Sequence, residues 1–484
     1  MLRKITVVFG IIGYVLASLY VAVTVGILNL PDSFYFYNLG NFLLFKRYYS
    51  IFPFNAYYPN TTNAPLYGII VRLISLWIPI AMTAISFTQL LLVGVSAYLI
   101  YLSANFVKRG LGWMAVACFI VLPFLLTYAT VMMSEVFTIF LVSLYQYLAI
   151  GLITKRLRIS PSVLILVACL LALTKFIFLY IIPVSIVLTL YIECCIRKKE
   201  HVYRIVFRQI PGVIGIVFIF LWMGFVHSYY GRWGMTVTTG RELFQGVVSK
   251  AGVFPSSDSP AYKTFQYWTG LEVVPRNGSD AIQKYFRPAF NEKKISEIEI
   301  DDMFRNFALA AMKQHLSYLF IDAFRGAYGL FTSHPYLECL RAGLGFSDST
   351  CPDNPVLACR FQWFCTVGGC SDAQVGAMCQ PVVKNAFMTS VWANLMSLYE
   401  GYYPSVMIGV LLLTVVGGIT GFVRRSVSLM VVAFHFALLM GIQGMFSAVE
   451  GRYTMIVYPF IAILATYGAR TIIDGVRRKL LIRR

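Results

Sequence analysis

Long unbroken apolar runs, rather than two-residue alternation, dominate this chain. About 20 consecutive apolar residues suffice to cross a bilayer as a helix. By that measure the sequence predicts spanning helices near 5–28, 80–105, 111–128, 135–153, 161–174, 176–193, 206–226, 404–423, 427–447 and 454–470. The first run follows Arg3 and Lys4 but is too long for a signal-peptide core, so it reads as an anchor. Residues 161–193 are long for one span and short for two. Basic clusters flank them at 155–158 and 197–199, and both clusters lie on one side only if the chain crosses an even number of times. Two short spans broken at Thr174-Lys175 meet that condition. The predicted fold class is therefore an all-α polytopic membrane protein with about 10 transmembrane helices.

Composition agrees with the pattern. Of 484 residues, 58% are hydrophobic and 13% charged, and the mean hydropathy is +0.72. Soluble domains run at roughly 45–50% apolar and about 25% charged. The net charge of +19 changes meaning once it is located. Between His227 and Tyr403 there are 15 basic and 15 acidic residues, which leaves 25 basic and 6 acidic elsewhere. Twenty of those 25 sit in clusters beside the apolar runs: Arg3/Lys4, Lys108/Arg109, Lys155/Arg156/Arg158, Arg197/Lys198/Lys199 with Arg204 and Arg208, Arg424/Arg425, and six from Arg470 to Arg484. Basic residues in short loops mark the cytoplasmic side, so the charge reports topology and not nucleic-acid binding. Both termini are then cytoplasmic, in an inner, plasma or endoplasmic-reticulum membrane.

Three parts follow from this topology. Residues 1–226 form a transmembrane module with a first outer loop at 29–79. Residues 227–403 form an exoplasmic domain, and residues 404–484 form the last helices and a basic tail. The exoplasmic domain carries Cys339, Cys351, Cys359, Cys365, Cys370 and Cys379. Six cysteines in a short stretch on the oxidising side read as three disulfides; their spacing contains no C-x-x-C pair of the kind that zinc favours. Cys118, Cys169, Cys194 and Cys195 lie in spans or on the inner side and read as free thiols. Met303 to Phe331 has helical periodicity, with Phe304, Phe307, Ala308, Ala311, Leu319, Ala323 and Phe324 on a broad face. Such a helix either lies along the membrane surface or packs inside a mainly helical outer domain. Asp301-Asp302 reads as a solvated helix start, and the five histidines show no metal-ligand spacing. Asn60 and Asn277 head glycosylation sequons on the outer side.

Subtracting the inner clusters and the neutral outer domain leaves Asp32, Lys46, Arg47, Arg72, Glu135, Lys175, Glu450 and Arg452. Charges beside hydrocarbon are costly and persist where they pair or work. Three acids and five bases on the outer boundary suit an anionic ligand attended by a carboxylate. Their settings are Leu30-Pro31-Asp32-Ser33 after the first span, Asn63-Ala64-Pro65-Leu66-Tyr67 closing the first outer loop, and Met133-Ser134-Glu135 opening a span. Leu173-Thr174-Lys175 lies at the turn between the two short spans, and Val449-Glu450-Gly451-Arg452-Tyr453 precedes Tyr458-Pro459 on the last one.

In this order the motifs resemble those of the GT-C integral-membrane glycosyltransferases that use polyprenyl-phosphate sugars, the group of protein O-mannosyltransferases and lipid A aminoarabinose transferases. The resemblance covers residues 1–226 and 404–470. Family members often carry Asp-Glu or Glu-Arg-Tyr, whereas here Ser33 follows Asp32 and Gly451 separates Glu450 from Arg452. The resemblance implies transfer of a sugar from a polyprenyl-phosphate donor to a glycan, lipid or protein acceptor at the outer leaflet, with inversion and without an obligatory metal or other cofactor. Asp32 is then the base that takes the acceptor's proton, and Lys175 and Arg452 stabilise the leaving phosphate. Glu135, Glu450, Lys46, Arg47, Arg72, Tyr67 and Tyr453 line the substrate pocket. A transporter or lipid flippase, and an O-antigen polymerase or ligase, are the competing expectations; the first commonly shows matched halves with midplane charges, which this chain lacks.

Overall fold

A computed structural model describes residues 2–24, 31–45, 63–77, 81–122, 125–196, 207–269, 297–332, 386–446 and 455–482. Every regular element among them is helical. In chain order these are α1 (Leu2–Thr24), α2 (Pro31–Phe45), α3 (Pro65–Trp77), α4 (Ala81–Val107), α5 (Gly112–Val121), α6 (Leu125–Ala129), α7 (Glu135–Ile153), α8 (Val163–Thr174) and α9 (Ile181–Tyr191). They continue with α10 (Ile210–Tyr230), α11 (Thr239–Phe244), α12 (Pro260–Thr269), α13 (Glu297–Gln314), α14 (Leu316–Thr332), α15 (Ala386–Val423), α16 (Val427–Phe446) and α17 (Tyr458–Ile482).

Among the described residues, seven helices are long and apolar enough to cross a membrane: Thr83–Val107, Glu135–Ile153, Phe176–Ile196, Ile210–Tyr230, Ser405–Val423, Val427–Gly444 and Met455–Lys479. This is a multi-pass membrane protein, and the count differs from the ten that the sequence predicts. Two predicted spans correspond to shorter apolar helices, Gly112–Val121 and Val163–Thr174, and the first falls within α1. The physical reasons are local. Leu122, extended at ψ 129°, precedes Pro123, and the proline ring disfavours the α conformation in the residue before it. α8 holds 12 residues, about 18 Å of helix, and ends where Lys175 turns extended at φ −147°, ψ 122°.

The described chain forms two compact units. One comprises Met1–Phe218, His334–Phe436 and Thr454–Arg484, the other Ile219–Ser333 and Ala437–Tyr453.

In the first unit, α15 and α17 approach closely at two glycines. A Cβ on Gly417 of α15 would sit 2.0 Å from the Leu464 carbonyl oxygen of α17, and one on Gly468 would sit 2.2 Å from that of Leu413. Small residues let membrane helices pack backbone to backbone in this way. Members of three basic clusters meet α17: Lys108 Nζ lies 2.9 Å from Asp474 Oδ2, Arg470 Nε lies 3.1 Å from Asp474 Oδ1, and Arg424 donates to the Tyr467 hydroxyl at 3.4 Å. Asp474 thus offsets part of the repulsion that collecting these cations creates. Cys118, Cys169, Cys194 and Cys195 are free.

The second unit has its own core, formed by Phe244, Val247, Val248, Phe265, Phe304, Phe307, Ala308, Ala311 and Leu319. The single helix expected over 303–331 is two, α13 and α14, interrupted at His315. Phe304, Phe307, Ala308 and Ala311 are packed inside, whereas Phe324, expected on the same face, is 77% exposed. Asp301 is fully buried, which corrects its reading as part of a solvated helix start. Its Oδ1 accepts the backbone N–H groups of Gly240 at 2.7 Å and Arg241 at 3.1 Å, and its Oδ2 pairs with Arg232 at 3.1 Å. A carboxylate from α13 therefore caps the first turn of α11. Burial pushes the Asp301 carboxyl up from its ordinary value, while the two N–H donors and the guanidinium hold it down. Asp301→Ala strands the two backbone N–H donors, while Arg232 keeps Asp302 at 3.1 Å, and is expected to destabilise this unit by about 2 kcal/mol. Thermal unfolding followed by tryptophan fluorescence checks this. The six cysteines from Cys339 to Cys379 lie outside the described residues.

Candidate functional site

Two prolines set the scaffold of the site. Pro31 opens α2 and Pro65 opens α3, the first helical position being where a missing N–H and a fixed φ cost nothing. The two helices then touch along their length. Phe36 meets Tyr67 edge-on, with ring centroids 5.0 Å apart. A Cβ on Gly40 would lie 2.1 Å from the Gly68 carbonyl oxygen, and one on Gly68 would lie 2.4 Å from that of Phe36. Further on, Arg72 donates to Asn41 Oδ1 at 3.0 Å and stacks over the Phe45 ring at 5.0 Å. Contacts advance together along both chains, so α2 and α3 run parallel and begin at the same end. Asp32 stands on the first turn of α2, one turn before Phe36, at the end where Pro65 and Tyr67 lie.

Tyr67 connects this end to α7. It is buried among Phe36, Val71, Ile85 and Met132. Its hydroxyl donates to Gln89 Oε1 at 2.6 Å. The Gln89 amide in turn donates to the carbonyls of Ala129 and Val131 at 2.9 and 2.8 Å. The approach to α7 is thereby held by a glutamine from α4, and Glu135 opens α7 where a carboxylate is favoured by the helix dipole.

Glu135 Oε1 and Lys175 Nζ lie 2.9 Å apart, with side-chain exposures of 1% and 16%. The lysine reaches the acid because α8 ends at Thr174 and the backbone is extended at Lys175 before the next turn begins. The pair is asymmetric. The carboxylate is sealed, its Oε2 having no hydrogen-bond partner among the described residues, while part of the lysine faces outward. Such a pair holds an ammonium in one place at the edge of apolar surroundings, where it can meet an anion.

The structure thus brings Glu135 and Lys175 together, and Tyr67, on the first turn of α3, has its ring 6.5 Å from that of Phe137, two residues after Glu135. Arg72 is not among them. It lies five residues beyond Tyr67, about 7.5 Å along the helix, and its contacts with Asn41, Ser75 and Phe45 clamp α2 to α3. Lys46, Arg47, Glu450, Arg452 and Tyr453 lie outside the described residues. Among the described residues no three metal-ligating side chains cluster.

Two sets of residues had no place in the sequence reading. Gln89 is one. The other lies about ten residues deeper on α7, roughly 15 Å from Glu135: Tyr145, Ser185 of α9 and His435 of α16, all buried. The Ser185 hydroxyl lies 3.0 Å from the Tyr145 oxygen, which lies 3.3 Å from His435 Nε2. His435 Nδ1 lies 2.7 Å from the Val431 carbonyl. A carbonyl only accepts, so Nδ1 carries the proton and Nε2 accepts from the tyrosine. The available signal was polarity itself, a glutamine or histidine inside an apolar run.

The Gly40–Gly68 contact gives a direct check on the scaffold. Gly68→Val places a branched side chain against the Phe36 carbonyl and is expected to cost about 1–3 kcal/mol of stability through overpacking. Helical content measured by circular dichroism should persist while the thermal midpoint falls.

No family model matches the chain, and no curated protein or solved structure matches it either.

Proposed function

We propose that this protein is an integral-membrane glycosyltransferase of the GT-C kind. It moves a sugar from a polyprenyl-phosphate donor to an acceptor at the outer face of the membrane. The observation that carries the reading is the buried Glu135–Lys175 pair, with Asp32, on the first turn of α2, as the neighbour that the reading assigns to it. A base, an anchored cation and an apolar surround are what this reaction requires.

The chemistry follows from those parts. The acceptor hydroxyl attacks the anomeric carbon as the bond from that carbon to the phosphate oxygen breaks. Asp32 takes the hydroxyl proton, and the departing lipid phosphate gains negative charge. Lys175 meets that charge, joined by Arg452, whose planar fork suits two phosphate oxygens. Preplaced cations in a poorly solvated site stabilise developing charge without reorganising. Glu135 shifts in this scheme from lining the pocket to positioning Lys175, since its own carboxylate is almost sealed. Direct displacement inverts the sugar carbon. The membrane lipids supply the donor's medium, and no nucleic acid takes part.

One observation favours a second reading. Tyr145, Ser185 and His435 form a buried polar group inside the spans, a place where transporters and lipid flippases keep working residues. Purified protein in liposomes, offered polyprenyl-phosphate sugars and an acceptor mixture, separates the two. The transferase releases free polyprenyl phosphate. A flippase moves the intact donor between leaflets and releases none.

A further inference from the structure

The outward face of α14 has the wrong chemistry for water. Its inward face is made of Leu319, Ala323 and Gly326, all buried. On the opposite side Tyr318, Ile321 and Phe324 are 41%, 54% and 77% exposed, at spacings of three that place them on one stripe. A helix apolar on both sides belongs in a protein core or in lipid. Its neighbour in sequence, α13, differs: it buries Phe304 and Phe307 in the core of its unit and turns a mainly polar face outward, with Asn306, Lys313 and Gln314 beside Leu309.

What lies against α14 identifies the medium. A Cβ on Gly444 would sit 2.2 Å from the Ala323 carbonyl oxygen and 2.8 Å from the Ala327 nitrogen. Gly444 is the last residue of the span Val427–Gly444, so the small-residue side of α14 is seated on the end of a membrane-crossing helix. Arg325, four residues after Ile321, is exposed on this same face, placed to reach phosphate headgroups while its stem lies along apolar surface. We infer that α14 is an interfacial helix, its Tyr318–Ile321–Phe324 stripe immersed in the acyl chains at the membrane boundary where α16 ends. The occupant is phospholipid, and the inference stands apart from the transferase proposal, since none of these residues takes part in it.

The test uses the full-length protein reconstituted in phosphatidylcholine vesicles, with the photocrosslinking residue p-benzoylphenylalanine in place of Phe324 or, separately, of Ile321. Asn306, outward on α13, serves as the control position. After irradiation, intact mass and peptide mapping should show phosphatidylcholine adducts at 324 and 321 and none at 306. Adducts to this chain's own residues, for instance within 333–385, or to a second copy of the chain overturn the inference, as does a ketone at both positions that reacts with no lipid.

Discussion

Asp32→Asn is expected to abolish sugar transfer while expression, helical content and thermal midpoint stay at their native values. The change keeps the size of the side chain and its place on the first turn of α2, and removes only the ability to accept a proton. A positioned general base contributes about 10²–10⁴-fold to a transfer of this kind, so the loss should be of that order in kcat and should leave donor KM nearly unchanged. Near-normal turnover by this variant removes Asp32 from the chemistry, whatever the stability data say.

The second large effect concerns the buried pair. Lys175→Met leaves the Glu135 carboxylate 1% exposed without its countercharge. Removing one partner of a buried pair costs about 3–5 kcal/mol, so the single variant should unfold well below the native protein. Stability and function are separated by the double variant Glu135→Leu/Lys175→Met. Replacing both charges by apolar groups of similar size is often neutral, so its thermal midpoint should return close to native. Transfer should remain lost, because the cation that meets the leaving phosphate is gone. A double variant that regains both stability and transfer makes the pair purely structural.

What the sequence conveyed depended on the range of the interaction involved. Apolar runs are local, and α4, α7, α10 and α16 fall close to the predicted boundaries, whereas α15 begins well before the predicted span and α17 runs well past it. So does the break at Thr174-Lys175, which parity of the basic clusters required and where α8 ends. The shortness of α5 was also legible in principle, since Pro123 forces Leu122 out of the helix. Arg72 illustrates the opposite case. Charge and location put it in the substrate pocket, but its place on the helix relative to Tyr67 carries it to Asn41 and Phe45, and no local pattern states which neighbour a cation will find. Asp301 failed in the same manner: a charged run looks solvated until a distant Gly240 backbone is found against it. Gln89 binds two carbonyls some 40 residues away, a relation set by packing alone. The Glu135–Lys175 pair lies between these extremes. Each residue was singled out as a costly charge at the outer boundary, and the fold supplied the fact that they meet.

The most direct measurement is an experimental structure of the full-length protein with a polyprenyl-phosphate sugar bound in lipid. The phosphate is expected within about 3 Å of Lys175 Nζ, with the anomeric carbon facing Asp32. A donor phosphate bound away from Lys175, or Asp32 on the opposite side of the bilayer from it, contradicts the proposed active centre.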